Sequence, residues 1–428
     1  MSHLRFLTSG ESHGKALIGI LEGIPSGLSL SEEDIGRDLK RRQSGYGRGA
    51  RMKIESDHAE ILSGVRWGKT IGSPITLSIE NKDWKNWIEG MSPYQAAKGS
   101  IPQVTKPRPG HADLSGAIKY YRNDIRDILE RSSARETAMR VALGAIAKKF
   151  LSGFGIHVGS YVVQIGKVRL KGYRGQGAKG ASENTRILES SNPRTLESIF
   201  KKAEKSPVRC PSEEATKKII SLIDKTIKEG NSLGGIFEVF VTGVPAGLGS
   251  HIQWDRRLDG RLAQSIMSIQ AIKGVEVGLG FEMSEHFGSE VMDEIFYIAK
   301  SKEQRAKSVN SELRTLNSKL TTGFYRKTNY AGGIEGGITN GMPIILRASM
   351  KPIPTLRKAL RSVDIITKKS AEAAYERSDI CAVPAAGVIG EAMVALIITD
   401  ALLEKFGGDS IGETKHNYDS YIENIEKF

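Results

Sequence analysis

The stretch EAMVALIITDALLEKFGG, residues 391–408, constrains this chain more than any other. Its apolar run, AMVALIITDALL, is interrupted by Asp400 and preceded by Glu391, which makes it too short and too charged to span a bilayer. It reads as a helix buried inside protein, and such a helix needs packed neighbours on every side. The 428 residues offer enough chain for one large domain or two ordinary ones.

The covering elements can be read from periodicity. Strands are expected at residues 4–8 and 16–24, as a Gly-linked pair within ILSGVRWGKTIGSPITLSIEN, and at HVGSYVVQIG, IFEVFVTGVP and PIILRASMKP. A helix should run from Ser31, with Asp34 completing a capping box, to about Arg42. ETAMRVALGAIAKKFL is a second helix, with Ser133 and Glu136 as its capping pair and Met139, Leu143, Ile146 and Phe150 spaced three or four apart. SEEATKKIISLIDKTIKEG, ending at Gly230, and RLAQSIMSIQAIKG are further helices. Strands and helices mix without a regular βαβ beat, so the expected class is α+β or layered α/β. One domain is expected over 1–408, with polar excursions near 167–192 and 300–322 and a polar, peripheral tail at 409–428.

Charge narrows the function. The chain carries 62 Lys+Arg against 49 Asp+Glu, a net +13, which implies an anionic partner: nucleic acid, membrane surface or a phosphorylated metabolite. Only 7% of residues are aromatic, lean for binding single strands by base stacking. Two cysteines suit a reducing cytosol, and the start MSHLRFLTSGESHG has no apolar core of a signal peptide, so a cytoplasmic protein is expected. GQGAKG at 175–180 spells the dinucleotide pattern, but its flanks KGYR and ASENTR are polar and give neither strand nor helix. The eight histidines show no HxH or HExxH spacing, so no metal site is expected.

Four features invite chemistry, each beside a plainer reading. Ser132 and Ser133, between Arg131 and Arg135, read as a cationic helix start suited to a phosphate, or as bare caps. Arg41, Arg42, Arg48 and Arg51 surround Gly45, Gly47 and Gly49, a loop able to fold guanidiniums around a ligand or simply solvated. At an effective dielectric near 20, each Arg–anion contact at about 4 Å is worth roughly 4 kcal/mol before desolvation. His13 in SGESHG and His111 in RPGHAD are Gly-flanked imidazoles, candidate general acids or structural histidines. KPIPT, 351–355, is stiff backbone with a lysine and a threonine, able to line a planar ligand or merely to end a strand. On residues alone, an enzyme acting on an anionic metabolite competes with a basic RNA-binding protein.

Taken together, GESHG (10–14), RPGHAD (108–113), RSSARETAMR (131–140), AIKGVE (271–276), AGGIEGGITNG (331–341), KPIPT (351–355) and ERSDICAVP (376–384) resemble the signatures of the chorismate synthase family, in order across residues 4–406. The resemblance implies conversion of 5-enolpyruvylshikimate 3-phosphate to chorismate and phosphate, a 1,4-anti elimination that needs reduced FMN without net redox change. It implies central helices sandwiched between two antiparallel sheets, and a homotetramer without a nucleic-acid or membrane partner. By matching position it implies that Arg131, Ser132, Ser133, Gln270, Ala271, Gly336, Lys351, Pro352, Ile353, Pro354, Thr355 and Arg377 contact FMN. Arg42, Arg48, Arg108 and Arg135 should hold the substrate's anions, with Arg42 and Arg48 also offered to NADP, NADPH being the external reductant of the flavin. His13 should protonate the departing phosphate, His111 should serve the reduced flavin, and Asp379 should help remove the C6 proton. Many family members have Asn where this chain has Gln270, so a backbone contact is implied there.

Overall fold

The computed structural model describes residues 3–49, 56–170, 192–298, 323–374 and 379–428. Strands β1 (Arg5–Ser9), β2 (Ala16–Glu22), β3 (Glu60–Ser63) and β4 (Ile75–Glu80) form an antiparallel sheet in the order β1-β2-β4-β3. A second antiparallel sheet uses β5 (His157–Ile165), β6 (Val168–Arg169), β7 (Gly235–Thr242), β8 (Ile272–Val277) and β9 (Ile344–Met350), in the order β8-β9-β7-β5-β6. Among the described residues the helices of seven residues or more are α1 (Glu32–Gln43), α2 (Asp113–Tyr120), α3 (Arg126–Ser132), α4 (Thr137–Ser152), α5 (Pro193–Lys205), α6 (Glu213–Lys228), α7 (Leu258–Met267), α8 (Val383–Phe406) and α9 (Ile411–Lys427). The fold is mixed α/β with antiparallel sheets.

Most elements arise where the pattern puts them. In β2, Leu17 and Leu21 point inward while Ile20 faces out, the alternation of a half-buried strand. Ser31 caps α1 with the expected box: its Oγ accepts from Asp34 N, and Asp34 accepts from Ser31 N at 3.1 Å. On α4, Met139, Leu143, Ile146 and Phe150 are all fully buried. Gly144 is required there, because a Cβ would run into Ala392 of α8.

Several boundaries differ from the sequence reading. The apolar helix α8 begins at Val383 rather than Glu391 and is long and apolar enough to cross a bilayer. Length therefore does not decide its place; burial does, since its residues pack against α4, α7, β5 and β7. AIKG is not helical. Ala271 takes φ +68° and ends the α7 segment, and Ile272 opens β8. The expected Ser133–Glu136 box does not form: Ser133 accepts from Arg135 N within a 3₁₀ turn, and α4 starts after Glu136. Helices α2, α3 and α5 have no counterpart in the reading. The stretch read as a polar peripheral tail is helix α9, capped by Ser410 and Glu413, with Tyr418 buried against Phe154 and Phe406. The polar excursions, apart from 167–170 and 192, and the GQGAKG match lie outside the described residues.

Inside the apolar helix lies one fully buried carboxylate. Glu391 accepts from Arg41 through both oxygens at 2.7 Å, from Lys148 at 2.8 Å, from Ser160 at 2.7 Å and from Arg209 at 3.2 Å. Asp38 and Glu204 supply the remaining negative charge around those cations. Burial works against ionisation, but the Arg41 and Lys148 charges hold the Glu391 carboxyl well below the usual range. Glu391→Ala should cost about 3–5 kcal/mol in urea denaturation, because three cations lose their shared partner. With its folded value below the unfolded value of about 4.3, Glu391 contributes stability above about pH 5 that is lost on acidification. Glu391→Gln should accordingly flatten the acid limb of the stability–pH curve.

Candidate active site

Gly110 and the residues around it set up the first station. At φ +78° Gly110 turns the chain so that Arg108, His111 and Asp113 converge just ahead of α2. Asp113 is buried and accepts from Arg108 N and Nε, each at 2.9 Å, and from His111 Nδ1. Arg108 also donates to Thr355 Oγ1 at 3.1 Å and lies 3.1 Å from His111 Nδ1. Burial alone would raise the Asp113 carboxyl, but hydrogen bonds from His111 and Arg108 hold it far below its ordinary value. Lys351 closes the station: its ammonium meets Gly110 O and its backbone N donates to Ala271 O at 2.9 Å. RPGHAD, KPIPT and the positive-φ Ala271 thus form one cluster.

His13 stands at the second station. Its Nδ1 lies 2.9 Å from Glu130 Oε1, and its backbone N donates to Glu130 Oε2 at 2.7 Å. Trp87 packs on the imidazole with ring centroids 4.3 Å apart, and Arg126 covers Trp87 at 4.8 Å. Burial opposes ionisation of Glu130, yet the hydrogen bond and charge of His13 keep its carboxyl below the usual range. The stations adjoin because α2, which follows His111, packs on α3, which carries Glu130, around Ala117, Ile125, Ile128 and Leu129.

The arginines are held by buried carboxylates. Asp57, fully buried, takes Arg135 on one oxygen and Arg42 on the other at 3.3 Å. Arg42 also donates to Thr137 Oγ1 and Ala134 O, while Arg135 donates to Asn81 Oδ1 at 2.8 Å. Asn81 in turn donates to Gly14 O at 2.8 Å, tying these cations to the His13 loop. Burial pushes the Arg42 guanidinium down to about 10; Asp57 opposes this, and the nearby Arg48 and Arg135 charges add to it. Arg42 remains a cation at neutral pH. Arg48 pairs with Asp379 at 3.0 Å, and Gly49 N donates to the same carboxylate at 2.6 Å. Arg41, from the same expected loop, points the other way into the Glu391 network. Burial pushes the Cys381 thiol, beside Asp379, up to about 12.

The expected flavin residues divide. Ser133 accepts from Ser12 Oγ at 3.0 Å and so touches the His13 loop. Ser132 ends α3 and donates back to Ile128 O at 2.8 Å, so the pair does not make a bare cationic helix start. Arg131 reaches the Thr8 and Gly10 carbonyls and Glu136. Gln270 donates to Glu136 at 3.3 Å, while its buried Oε1 has no hydrogen-bond partner among the described residues. Lys351 is joined to Gly110 O and Thr355 to Arg108, and Ile353 O accepts from Ser232. Pro352 and Pro354 lie between them in chain order, with Pro354 beside Gly110. Gly336 is not brought to either histidine; it turns the Ile334–Glu335 and Ile338–Thr339 hairpin, next to Leu258. Arg377 and Arg51 lie outside the described residues. The sequence reading did not single out Glu130, Asp57, Asn81, Asp113 or Trp87. Asp113 was within reach, two residues after His111 in RPGHAD, whereas Asp57 and Glu130 show no local pattern.

Buried carboxylates that aim arginines and imidazoles build a site for a small polyanion whose chemistry needs proton transfer. The comparisons with known proteins agree on which one. The family model described as chorismate synthase matches residues 4–403. The chain is 55% identical to the chorismate synthase of Aquifex aeolicus (strain VF5) over all of both chains, and 53% identical to that of Geobacter metallireducens over 99% of this chain and 100% of the relative. A solved chorismate synthase crystal structure superposes with a TM-score of 0.75 at 47% identity, covering 99% of each chain. The chain belongs to the chorismate synthase family, lyases of the shikimate pathway that feeds aromatic amino acid synthesis.

Arg108 gives a direct structural test. Its planar fork serves Asp113, Thr355 and His111 at once, which a lysine cannot do. Arg108→Lys should therefore lower stability by about 1.5–3 kcal/mol, the scale of a lost charge-assisted bond, as read in denaturant titration.

Proposed function

We propose that this chain eliminates phosphate from 5-enolpyruvylshikimate 3-phosphate in the 1,4-anti sense, with reduced FMN as the cofactor. The observation that carries this reading is that His13 and His111, distant in sequence, occupy adjoining carboxylate-anchored stations among Arg42, Arg48, Arg108 and Arg135. The substrate carries two carboxylates and a phosphate, so these four arginines hold it. Arg48 faces Asp379, and an incoming anion competes for the same N–H groups, leaving Asp379 to receive the C6 proton. His13 donates a proton to the phosphate oxygen as the C–O bond breaks. His111, its ring fixed by Arg108 and Asp113, would hydrogen-bond the flavin.

The residues fit a flavin. Gln270 Oε1 is a buried acceptor without a partner among the described residues, suited to a ring N–H donor. Ala271 and Lys351 to Thr355 would supply backbone and a cation to it, and Arg131, Ser132, Ser133, Gly336 and Arg377 complete the set as proposed contacts. Reduced FMN, when bound, supplies electron density to the reacting ring and is not consumed.

The same reading takes residues 1–408 as one catalytic unit, with α1, α4 and α8 layered between the two larger sheets. The packing of α4 on β2 and α8, and of α8 on β5 and β7, supports that layering. The same reading takes the assembly as a homotetramer, to which the exposed Leu7 and Ile20 on the outer face of β1 and β2 offer an apolar contact. The burial of α8 supports a place for that helix in the protein core rather than in a bilayer, and the same reading takes the protein as cytoplasmic.

The test is anaerobic turnover with chemically reduced FMN and the phosphate ester. Chorismate and phosphate should appear in equal amounts; their absence from a folded, flavin-binding sample overturns the reading. Arg48→Ala should raise the substrate Kd by on the order of 10²-fold, roughly 2.7 kcal/mol, and leave the FMN Kd nearly unchanged. Arg48→Gln should not restore binding, because the lost term is charge. Equal losses for both ligands would show that the loop acts through folding.

A further inference from the structure

We propose that Glu130 is the positioning residue for His13, setting which ring nitrogen handles the reacting proton. The inference rests on the reading of His13 as the acid that serves the phosphate.

Glu130 lies in the last turn of α3, against the His13 loop, and its side chain is only 3% exposed. It holds His13 at two points and the preceding Ser12 at a third. One oxygen lies 2.9 Å from Nδ1, the other accepts from the His13 backbone N at 2.7 Å, and the Glu130 carbonyl accepts from Ser12 N at 2.9 Å. Trp87 packs on the ring, and Arg126 approaches Glu130 at 3.4 Å from the same helix. The imidazole is therefore fixed in both position and rotation.

An ionised carboxylate can only accept, so the proton it engages sits on Nδ1. A hydrogen bond at one ring nitrogen decides the state of the other. Nε2 becomes the nitrogen that gains and gives the proton. When the phosphate departs, the N–H bond at Nε2 breaks, its proton joins the phosphate oxygen, and that oxygen keeps the electron pair of the broken C–O bond. The ring is left neutral with its proton on Nδ1, the form Glu130 already holds, so no tautomer shift delays the step. A carboxylate that served only to pair Arg126 and pin α3 would leave the tautomer unaffected.

The experiment uses full-length protein with ¹⁵N-labelled histidine, with His13 assigned through His13→Asn. In the resting wild type, above the ring's titration, ¹⁵N shifts should show Nδ1 protonated and Nε2 bare. Glu130→Leu should move the proton to Nε2 and lower kcat by on the order of 10²-fold, with the FMN Kd unchanged. Glu130→Gln keeps an acceptor of the same shape without the charge. It should fold like wild type, retain a mixture of tautomers and fall between the two in kcat. An unchanged tautomer in Glu130→Gln and Glu130→Leu, or full kcat in both, overturns the inference. Full turnover by His13→Asn would instead overturn the acid role of His13, and the tautomer measurement, made without substrate, reads the two failures separately.

Discussion

The ion cluster around Glu391 is the interaction on which the rest of the structure depends. A carboxylate in the middle of an apolar helix is costly to bury, and it becomes tolerable only when several cations meet it with good geometry. Arg41, Lys148 and Arg209 come from α1, α4 and the segment after α5, and Ser160 from β5. The pairing therefore sets the positions of two helices, the segment after α5 and a strand relative to α8. The apolar contacts nearby, such as Gly144 against Ala392, are non-directional in energy and would tolerate sliding. The charged cluster does not, because each cation has one geometry that works.

That constraint reaches the site through adjacent residues. Arg41 and Arg42 are neighbours at the end of α1 and point in opposite directions, one to Glu391 and one to Asp57. The core network thus fixes the helix from which a site arginine projects. The same logic recurs nearer the chemistry, where Arg42 and Arg135 share Asp57, Arg48 faces Asp379, Arg108 and His111 share Asp113, and His13 leans on Glu130. Folding orients these groups before any ligand arrives, so ligand binding need not order long cationic side chains. The embedded carboxylates also temper the crowding of arginines: Asp57 opposes the lowering that burial, and after it the Arg48 and Arg135 charges, impose on the Arg42 guanidinium.

Much was legible in the residues themselves. The capping box at Ser31, the buried face of α4, the strands of both larger sheets other than β6 and β8, and the apolar character of α8 follow from period, cap chemistry and hydropathy, all of which act over a few residues. So do His13 and His111, because glycine-flanked histidines in loops are local features, and the ordered signatures pointed to the family that the comparisons show.

Tertiary structure decided what those groups touch. Nothing local tells Arg41 from Arg42, or marks Asp57 and Glu130 as the partners of Arg135 and His13, which lie 78 and 117 residues away in the chain. The serines illustrate the limit: S-S-x-x-E reads as a helix start, but α3 runs into Ser132 because Ile128 and Leu129 bury against α2. Burial also settled α8, whose length alone fits a bilayer as well as a protein core. The types of chemistry, cationic and imidazole, were written in the sequence. Their partners, protonation and orientation came from charges brought together across long chain separations, where the low dielectric of the interior makes each pairing count.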